Sequence, residues 1–236
     1  MVSRMVVLDT ETTGLDPAYG HRLTEIGCLE LIGRRPTGRY FQTYLNPERE
    51  LDEGAARVTG LSYAFLKKKP KFSDILADFW AFLFPDPSTK TELIIHNAPF
   101  DLKFINSELV RCRHHSTVLE QHASIIDTLV LARKLFPGHR TYNLDALCQR
   151  HGINNSHRDK HGALLDAEIL TEVYLKMTAG QETLLFSGEP LVANPKNKPD
   201  TKSKTPTQLH RPKLKVIFAN ADSVRLHEAR LAEINS

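Results

Sequence analysis

The sequence predicts an α/β fold, a mixed β-sheet flanked by helices, followed by a flexible linker and a small C-terminal strand–helix tail. Three observations carry this reading. Three strand-like runs open the chain, and strands then alternate with segments of helical periodicity. After Gly180 the composition turns abruptly to proline and lysine.

Met5-Val6-Val7-Leu8 is apolar and rich in β-branched residues, which sets a buried strand over about 4–9. Strands over about 24–33 and 38–46 follow, the first alternating imperfectly and the second, around Tyr40 to Leu45, more regularly. Phe72 to Phe84 carries apolar residues at helical spacing, with Ser73 as the candidate cap and Pro85 closing the helix. Its aromatics Phe72, Phe79, Trp80 and Phe82 read as core. A short strand at 92–96 leads into a helix over about 98–111, where Pro99 suits the first turn. Helices near 127–136 and 143–150, then a long one over about 162–178, complete a domain spanning residues 1–180.

Residues 181–208 read as a linker that begins with a short peptide. From Ser187 to Lys215, prolines stand at 190, 195, 199, 206 and 212 among seven basic residues, against Glu189 and Asp200 alone. Such a stretch buries too little surface to offset its ordering entropy. In the tail, residues 209–236, Lys213 to Phe218 regains strand character, and Val224, Leu226, Leu231 and Ile234 give Asn220 to Asn235 an apolar surface. A strand and a helix this small cannot form a core by themselves, so the tail is expected to dock on a partner.

The 236 residues carry a net charge of +3, which permits nucleic acid as a partner without requiring it. Cys28, Cys112 and Cys148 are too scattered for a zinc or disulfide framework and read as reduced core thiols. Arg4, Asp9 and Glu11 interrupt any secretory h-region, and no run approaches the roughly 18 apolar residues of a membrane span. The expectation is a soluble cytoplasmic protein.

Asp9-Thr10-Glu11-Thr12-Thr13-Gly14 closes the first strand. Side chains two apart on a strand share a face, so Asp9 and Glu11 point the same way. Adjacent carboxylates repel and burial penalises both, a conflict that a hard divalent cation resolves. His96-Asn97-Ala98-Pro99-Phe100-Asp101 places a third carboxylate in the first turn of a helix, beyond a strand end where ligand sites of open α/β sheets collect. In His161-Gly-Ala-Leu-Leu-Asp166 the two outer residues are about 140° apart around a regular helix. They meet if Asp166 lies in the helix and His161 in the loop or turn before it, where a mobile imidazole suits a general base. Together Asp9, Glu11, Asp101 and Asp166 form a set that two divalent cations would neutralise, a site for phosphodiester hydrolysis.

These residues resemble, in order and spacing, the three exonuclease motifs of the DEDD superfamily, histidine subtype. Asp9-Thr-Glu-Thr-Thr-Gly, Ile95-His-Asn-Ala-Pro-Phe-Asp, Asn143-Leu-Asp-Ala-Leu-Cys and His161-Gly-Ala-Leu-Leu-Asp-Ala are further similar to the epsilon proofreading subunits of bacterial DNA polymerase III, over residues 4–178 and again at about 209–236. The resemblance implies a ribonuclease H-like sheet, two Mg²⁺ or Mn²⁺ ions, and stepwise 3′→5′ release of nucleotides from DNA. By motif position Asp9 would bridge both ions, Glu11 and Asp166 would serve the hydrolytic one and Asp101 the other, with His161 as general base. Asp9, Glu11 and Asp166, with Thr12, Thr13, Asn97 and Phe100, are the candidates to hold the terminal nucleotide. Where relatives often carry a histidine this chain has Val58-Thr59-Gly60, which touches a substrate contact and not the catalytic set. Gln181, Leu184 and Phe186 resemble a sliding-clamp-binding peptide, a polar anchor with two apolar plugs. The tail resembles a polymerase-binding segment directed at the catalytic alpha subunit, and a small accessory, theta-like, subunit is a further candidate partner. The competing readings are an RNA 3′→5′ exonuclease of the same superfamily and a catalytically inactive scaffold of the polymerase.

Overall fold

The computed structural model describes residues 3–86, 91–113, 118–156, 158 and 160–179. The linker, the clamp-type peptide with Gln181, Leu184 and Phe186, and the tail at 209–236 lie outside the described residues.

Five strands form one sheet: β1 (Arg4–Thr12), β2 (Leu23–Ile32), β3 (Arg35–Tyr44), β4 (Thr91–Ile95) and β5 (Ala123–Asp127), in the order β3-β2-β1-β4-β5. β1 pairs antiparallel with β2, and β2 with β3, whereas β4 lies parallel to both β1 and β5. The helices are α1 (Glu53–Thr59), α2 (Tyr63–Leu66), α3 (Phe72–Leu83), α4 (Ala98–Arg111), α5 (Thr128–Leu135), α6 (Leu144–His151) and α7 (Ala163–Thr178). The mixed, helix-covered sheet is the predicted one.

Because β1 is central, both of its faces are buried and its residues divide by parity. Val6 and Leu8 join one core with Phe79 of α3 and Leu102 and Phe104 of α4. Met5 and Val7 join the other with Leu147 of α6 and Ala167, Leu170 and Val173 of α7. The aromatics of α3 pack as expected, Phe79 lying 5.6 Å from Phe41 and 6.1 Å from Phe72 between ring centroids. At the start of β1, Arg4 is buried against Glu30 at 2.8 Å and donates to the carbonyls of Leu83 and Phe82. That pair ties β1 to β2 and to the end of α3.

Several elements differ from the sequence expectation. β5 was not anticipated: five residues are too few to show a period, and the strand exists through its parallel pairing with β4. α1 and α2 span only seven and four residues, below the length at which periodicity is legible. Ser73 lies inside α3. The N-cap is Lys71, whose N–H donates to the Asp74 carboxylate at 2.9 Å. Pro99 does occupy the first turn of α4. Cys28, Cys112 and Cys148 are free thiols, with Cys112 only half-buried. Among the described residues no helix is long and apolar enough to cross a membrane.

Candidate active site

The parity that divides β1 between two cores also builds the site. Asp9 and Glu11 continue the face of Met5 and Val7 and so turn toward α7, while Thr10 continues the opposite face, toward α4. There its hydroxyl donates to Asp101 Oδ1 at 2.6 Å. β4 ends at Ile95, and Asn97 adopts a left-handed conformation (φ 62°) as the N-cap of α4. Its N–H donates to Asp127 Oδ1 at 3.2 Å, so the end of β5 fixes the turn that delivers Asp101.

α7 is held against β2 by two devices. A Cβ on Gly27 would lie 2.2 Å from the backbone N of Leu164 and 2.3 Å from the carbonyl carbon of Ala163, so glycine is required for the close approach. Beside it, Glu25 accepts the Ala163 N–H at 3.2 Å and is itself held by Gln42 at 2.8 Å. The loop before α7 is anchored by His161 N–H donating to the Val58 carbonyl at 3.1 Å. His161 therefore stands in the loop and Asp166 in the helix, Nδ1 and Oδ2 being 3.3 Å apart.

Asp9, Glu11, Asp101, His161 and Asp166 line one cleft of about 400 Å³, with Asn97 and Phe100 at its wall. Glu11, Asp101 and Asp166 are buried, and Asp9 is half-buried. Burial, then the charges of Asp101, Glu11 and Asp166, drive the Asp9 carboxyl well above its ordinary range. Burial and the neighbouring Asp166 and Glu25 push Glu11 up to about 8. Asp101 is raised to about 7, mainly by burial, with the Thr10 hydrogen bond opposing. Asp166 is the exception. Burial acts to raise it, but the close approach of His161, the hydrogen bonds from Arg158 and the guanidinium charge outweigh that and hold it low.

Hard oxygen donors forced together at this cost have the chemistry of a divalent-cation site. One ligand atom each from Glu11, His161 and Asp166 falls within 4.8 Å of the others. The residues fit the group that the motifs imply.

The remaining candidates are placed differently. Thr12 is buried beside a neighbouring hollow of about 440 Å³ that includes Gly14, Leu15, Val58 and Thr59. Thr13 is fully buried away from the cleft, its hydroxyl accepting the Arg22 N–H at 3.0 Å and meeting His21 Nδ1 at 3.2 Å. Sequence reasoning missed Arg158, which lies inside the cleft and pairs with Asp166 through Nε–Oδ1 at 2.5 Å and Nη2–Oδ2 at 2.6 Å. An arginine in a polar loop has no pattern of its own. The available signal was the convergence of four acids, which calls for a cation in the protein as well as from solvent.

The Exonuclease family profile matches residues 6–174. The chain is 44% identical over 232 residues to the DNA polymerase III subunit epsilon of Buchnera aphidicola, covering 97% of this chain and 95% of that one. It is 40% identical over 234 residues to the Escherichia coli K12 subunit of the same name, covering 98% and 93%. A third relative of that name, from Rickettsia felis, is 49% identical over 180 residues, 76% of each chain. Among solved structures, Exonuclease X in complex with 5′ overhanging duplex DNA superposes with a TM-score of 0.58 at 21% identity, covering 75% of this chain and 93% of that one. Exonuclease I gives 0.65 at 21% identity, with 78% of this chain matched to 42% of the larger protein. Those two likenesses speak to the fold, which is the exonuclease one. With the motif residues gathered in one acidic cleft and near-full-length identity at this level, the chain belongs to the exonuclease family and, within it, to the DNA polymerase III epsilon subunits.

Proposed function

We propose that this chain is the proofreading 3′→5′ exonuclease of a replicative DNA polymerase and that its acidic cleft hydrolyses the terminal phosphodiester with two divalent cations. The observation that carries this reading is the convergence of Asp9, Glu11, Asp101 and Asp166 with His161 in one cleft. Those four carboxylates would hold Mg²⁺ or Mn²⁺, which when bound neutralises them and stabilises the charge that develops on the phosphodiester.

The rest falls to the protein. Asp101 is held for its task by Thr10, and Asp166 by its seat in the first turn of α7. When His161 Nδ1–H donates to Asp166 Oδ2, 3.3 Å away, Nε2 would be free to take the proton of the attacking water. The water oxygen bonds to phosphorus, the bond to the 3′ oxygen breaks, and one nucleotide leaves. Asn97 and Phe100 at the cleft wall, and Thr12 beside the neighbouring hollow, would hold the terminal nucleotide. Thr13 serves through the turn that its buried hydroxyl fixes. Discrimination needs no base readout, because a mismatched end costs less to unpair and enters a narrow site more often.

Residues 1–180 form the nuclease domain in this reading. Gln181, Leu184 and Phe186 bind the sliding clamp, 181–208 act as a tether that raises effective concentration, and 209–236 bind the alpha subunit. The matches to the Buchnera and E. coli relatives, which extend over 232 and 234 residues, support a shared tail. A cytoplasmic location and a small accessory subunit complete the proposal.

The test is metal-dependent digestion of paired and mismatched primer ends, with an RNA oligonucleotide alongside. Faster removal of mismatched DNA ends is expected, and much faster RNA degradation would overturn the proofreading reading. Deleting 209–236 should abolish co-purification with the polymerase and leave trimming intact, and retained co-purification would refute the role of the tail.

A further inference from the structure

Arg158 stands where the hydrolytic chemistry is expected, and its contacts are incompatible with that chemistry proceeding. Its side chain is 7% exposed. Nε and Nη2 occupy both oxygens of Asp166, at 2.5 and 2.6 Å. The same Nη2 lies 2.8 Å from His161 Nδ1. A guanidinium only donates, so at that distance Nδ1 accepts and the imidazole proton sits on Nε2. The base then carries its proton on the nitrogen that the proposed reaction needs free. Two of the three groups whose ligand atoms cluster within 4.8 Å are thus occupied by one arginine. A dication beside Asp166 would also meet the guanidinium charge in a poorly solvated cleft.

The third contact shows how the arginine can leave. Nη1 donates to Asp145 Oδ1 at 2.8 Å, and this carboxylate, 55% exposed on α6, is also held by Asn155 Nδ2 at 2.8 Å. Arg158 itself lies between α6 and α7, outside any helix or strand, with its N–H donating to the Asn155 carbonyl at 3.0 Å, so the freedom it has is that of its long side chain. It can give up Asp166 and keep Asp145.

We propose that Arg158 is an internal counter-cation that plugs the cleft, fixes His161 in the non-productive tautomer, and swings off Asp166 while keeping Asp145 when a divalent cation binds. The inference rests on the two-cation reading above. Once Arg158 has gone, Nδ1–H can donate to Asp166 and Nε2 presents its lone pair to water. The plug holds Asp166 in place through both its oxygens and ties readiness of the base to cation binding.

The experiment is a Mn²⁺ titration of the full chain by calorimetry, comparing wild type with Arg158→Gln and Arg158→Lys, together with the thermal midpoint in EDTA. Arg158→Gln should bind Mn²⁺ more tightly by about tenfold or more, because a buried pair no longer has to be broken. Its midpoint in EDTA should fall below that of wild type, and Arg158→Lys, which keeps the charge without the fork, should lie between. Equal or weaker Mn²⁺ binding by Arg158→Gln would overturn the proposal. The wild-type protein supplies a second readout that does not depend on that variant folding. The Arg158 Nε–H resonance in a ¹⁵N-arginine sample, assigned from Arg158→Lys, should shift on Mg²⁺ addition as the Asp166 contact is lost. An unmoved resonance at saturating Mg²⁺ would sink the plug while leaving the two-cation reading intact. Failure of wild type to bind Mn²⁺ at all would remove both.

Discussion

The acidic cleft makes a demand on stability that can be measured without any substrate. Glu11 has its carboxyl raised from 4.5 to about 8, and Asp101 is raised to about 7. An acid whose folded-state pKa lies above its unfolded value binds more protons when folded. Stability is therefore full below about pH 4.5, falls as pH rises, and is lost once the folded pKa is passed. For Glu11 alone, forcing ionisation across that interval costs on the order of 5 kcal/mol. This is comparable to the whole stability of a typical domain. The three raised acids share their repulsion, so their costs do not add. For a domain of this size such a loss lowers the thermal midpoint by roughly 10–20 °C. The assay is a thermal scan of the full chain at pH 5.5 and 8.5, in EDTA and in Mg²⁺, for wild type and Glu11→Gln. In EDTA, wild type should lose stability between the two pH values and Glu11→Gln should lose much less. Mg²⁺ should restore wild type at pH 8.5 while helping the variant little. The difference between the two proteins isolates Glu11 from histidines such as His96, which burial pushes down and whose contribution runs the other way with pH. Parallel wild-type and Glu11→Gln profiles in EDTA would refute the argument that the cleft stores repulsion.

Other perturbations separate positioning from chemistry. Gly27→Ala forces a Cβ to within 2.2–2.3 Å of the α7 backbone, so the start of that helix must shift. Trimming of single-stranded DNA should fall about 100-fold with a stability loss of about 1–3 kcal/mol, and an unchanged rate would show that α7 tolerates the shift. Thr10→Val removes the 2.6 Å donor to Asp101, which favours the ionised carboxylate. The acidic limb of the pH–rate profile should move to higher pH, with about 1 kcal/mol lost in urea unfolding, and a fixed limb would argue against control of Asp101 by Thr10. Arg4→Met leaves Glu30 buried with the exposed Arg39 and the Thr37 hydroxyl, at 2.9 Å, beside it. Urea unfolding should show a loss of about 3 kcal/mol, with the cleavage rate of the folded enzyme unchanged, because Arg4 lies at the opposite end of β1 from the cleft. Asp9→Ala should lower nuclease activity by several powers of ten, each worth about 1.36 kcal/mol, without loss of polymerase co-purification.

What could be read from the sequence was whatever repeats locally. β1 announces itself through its apolar β-branched run, α3 through its spacing, α4 through Pro99 in its first turn, and α7 through its length. β5 does not, because Ala123 to Asp127 is a strand only by virtue of β4 beside it. The N-cap of α3 misled for a related reason. Ser73 is a good capping residue in isolation, but Asp74 satisfies the Lys71 N–H from within the first turn, and the helix begins accordingly.

The site divides along the same line. The carboxylates were legible because each sits at a strand or helix end whose geometry follows from its own segment, and the two-residue spacing of Asp9 and Glu11 already dictates a shared face. The groups that poise them were not legible, since each acts across the fold. Thr10 reaches Asp101 from 91 positions away, and Glu25 reaches Ala163 from 138. Arg158 is near His161 and Asp166 in the chain, yet no spacing rule marks a loop arginine. What marks it is charge: once burial has raised Asp9, Glu11 and Asp101, the low Asp166 demands a cation partner within the chain. A converging acid set in a sequence should therefore prompt a search for the basic side chain that neutralises it before metal arrives, and here that search ends at one guanidinium shared by Asp166, His161 and Asp145.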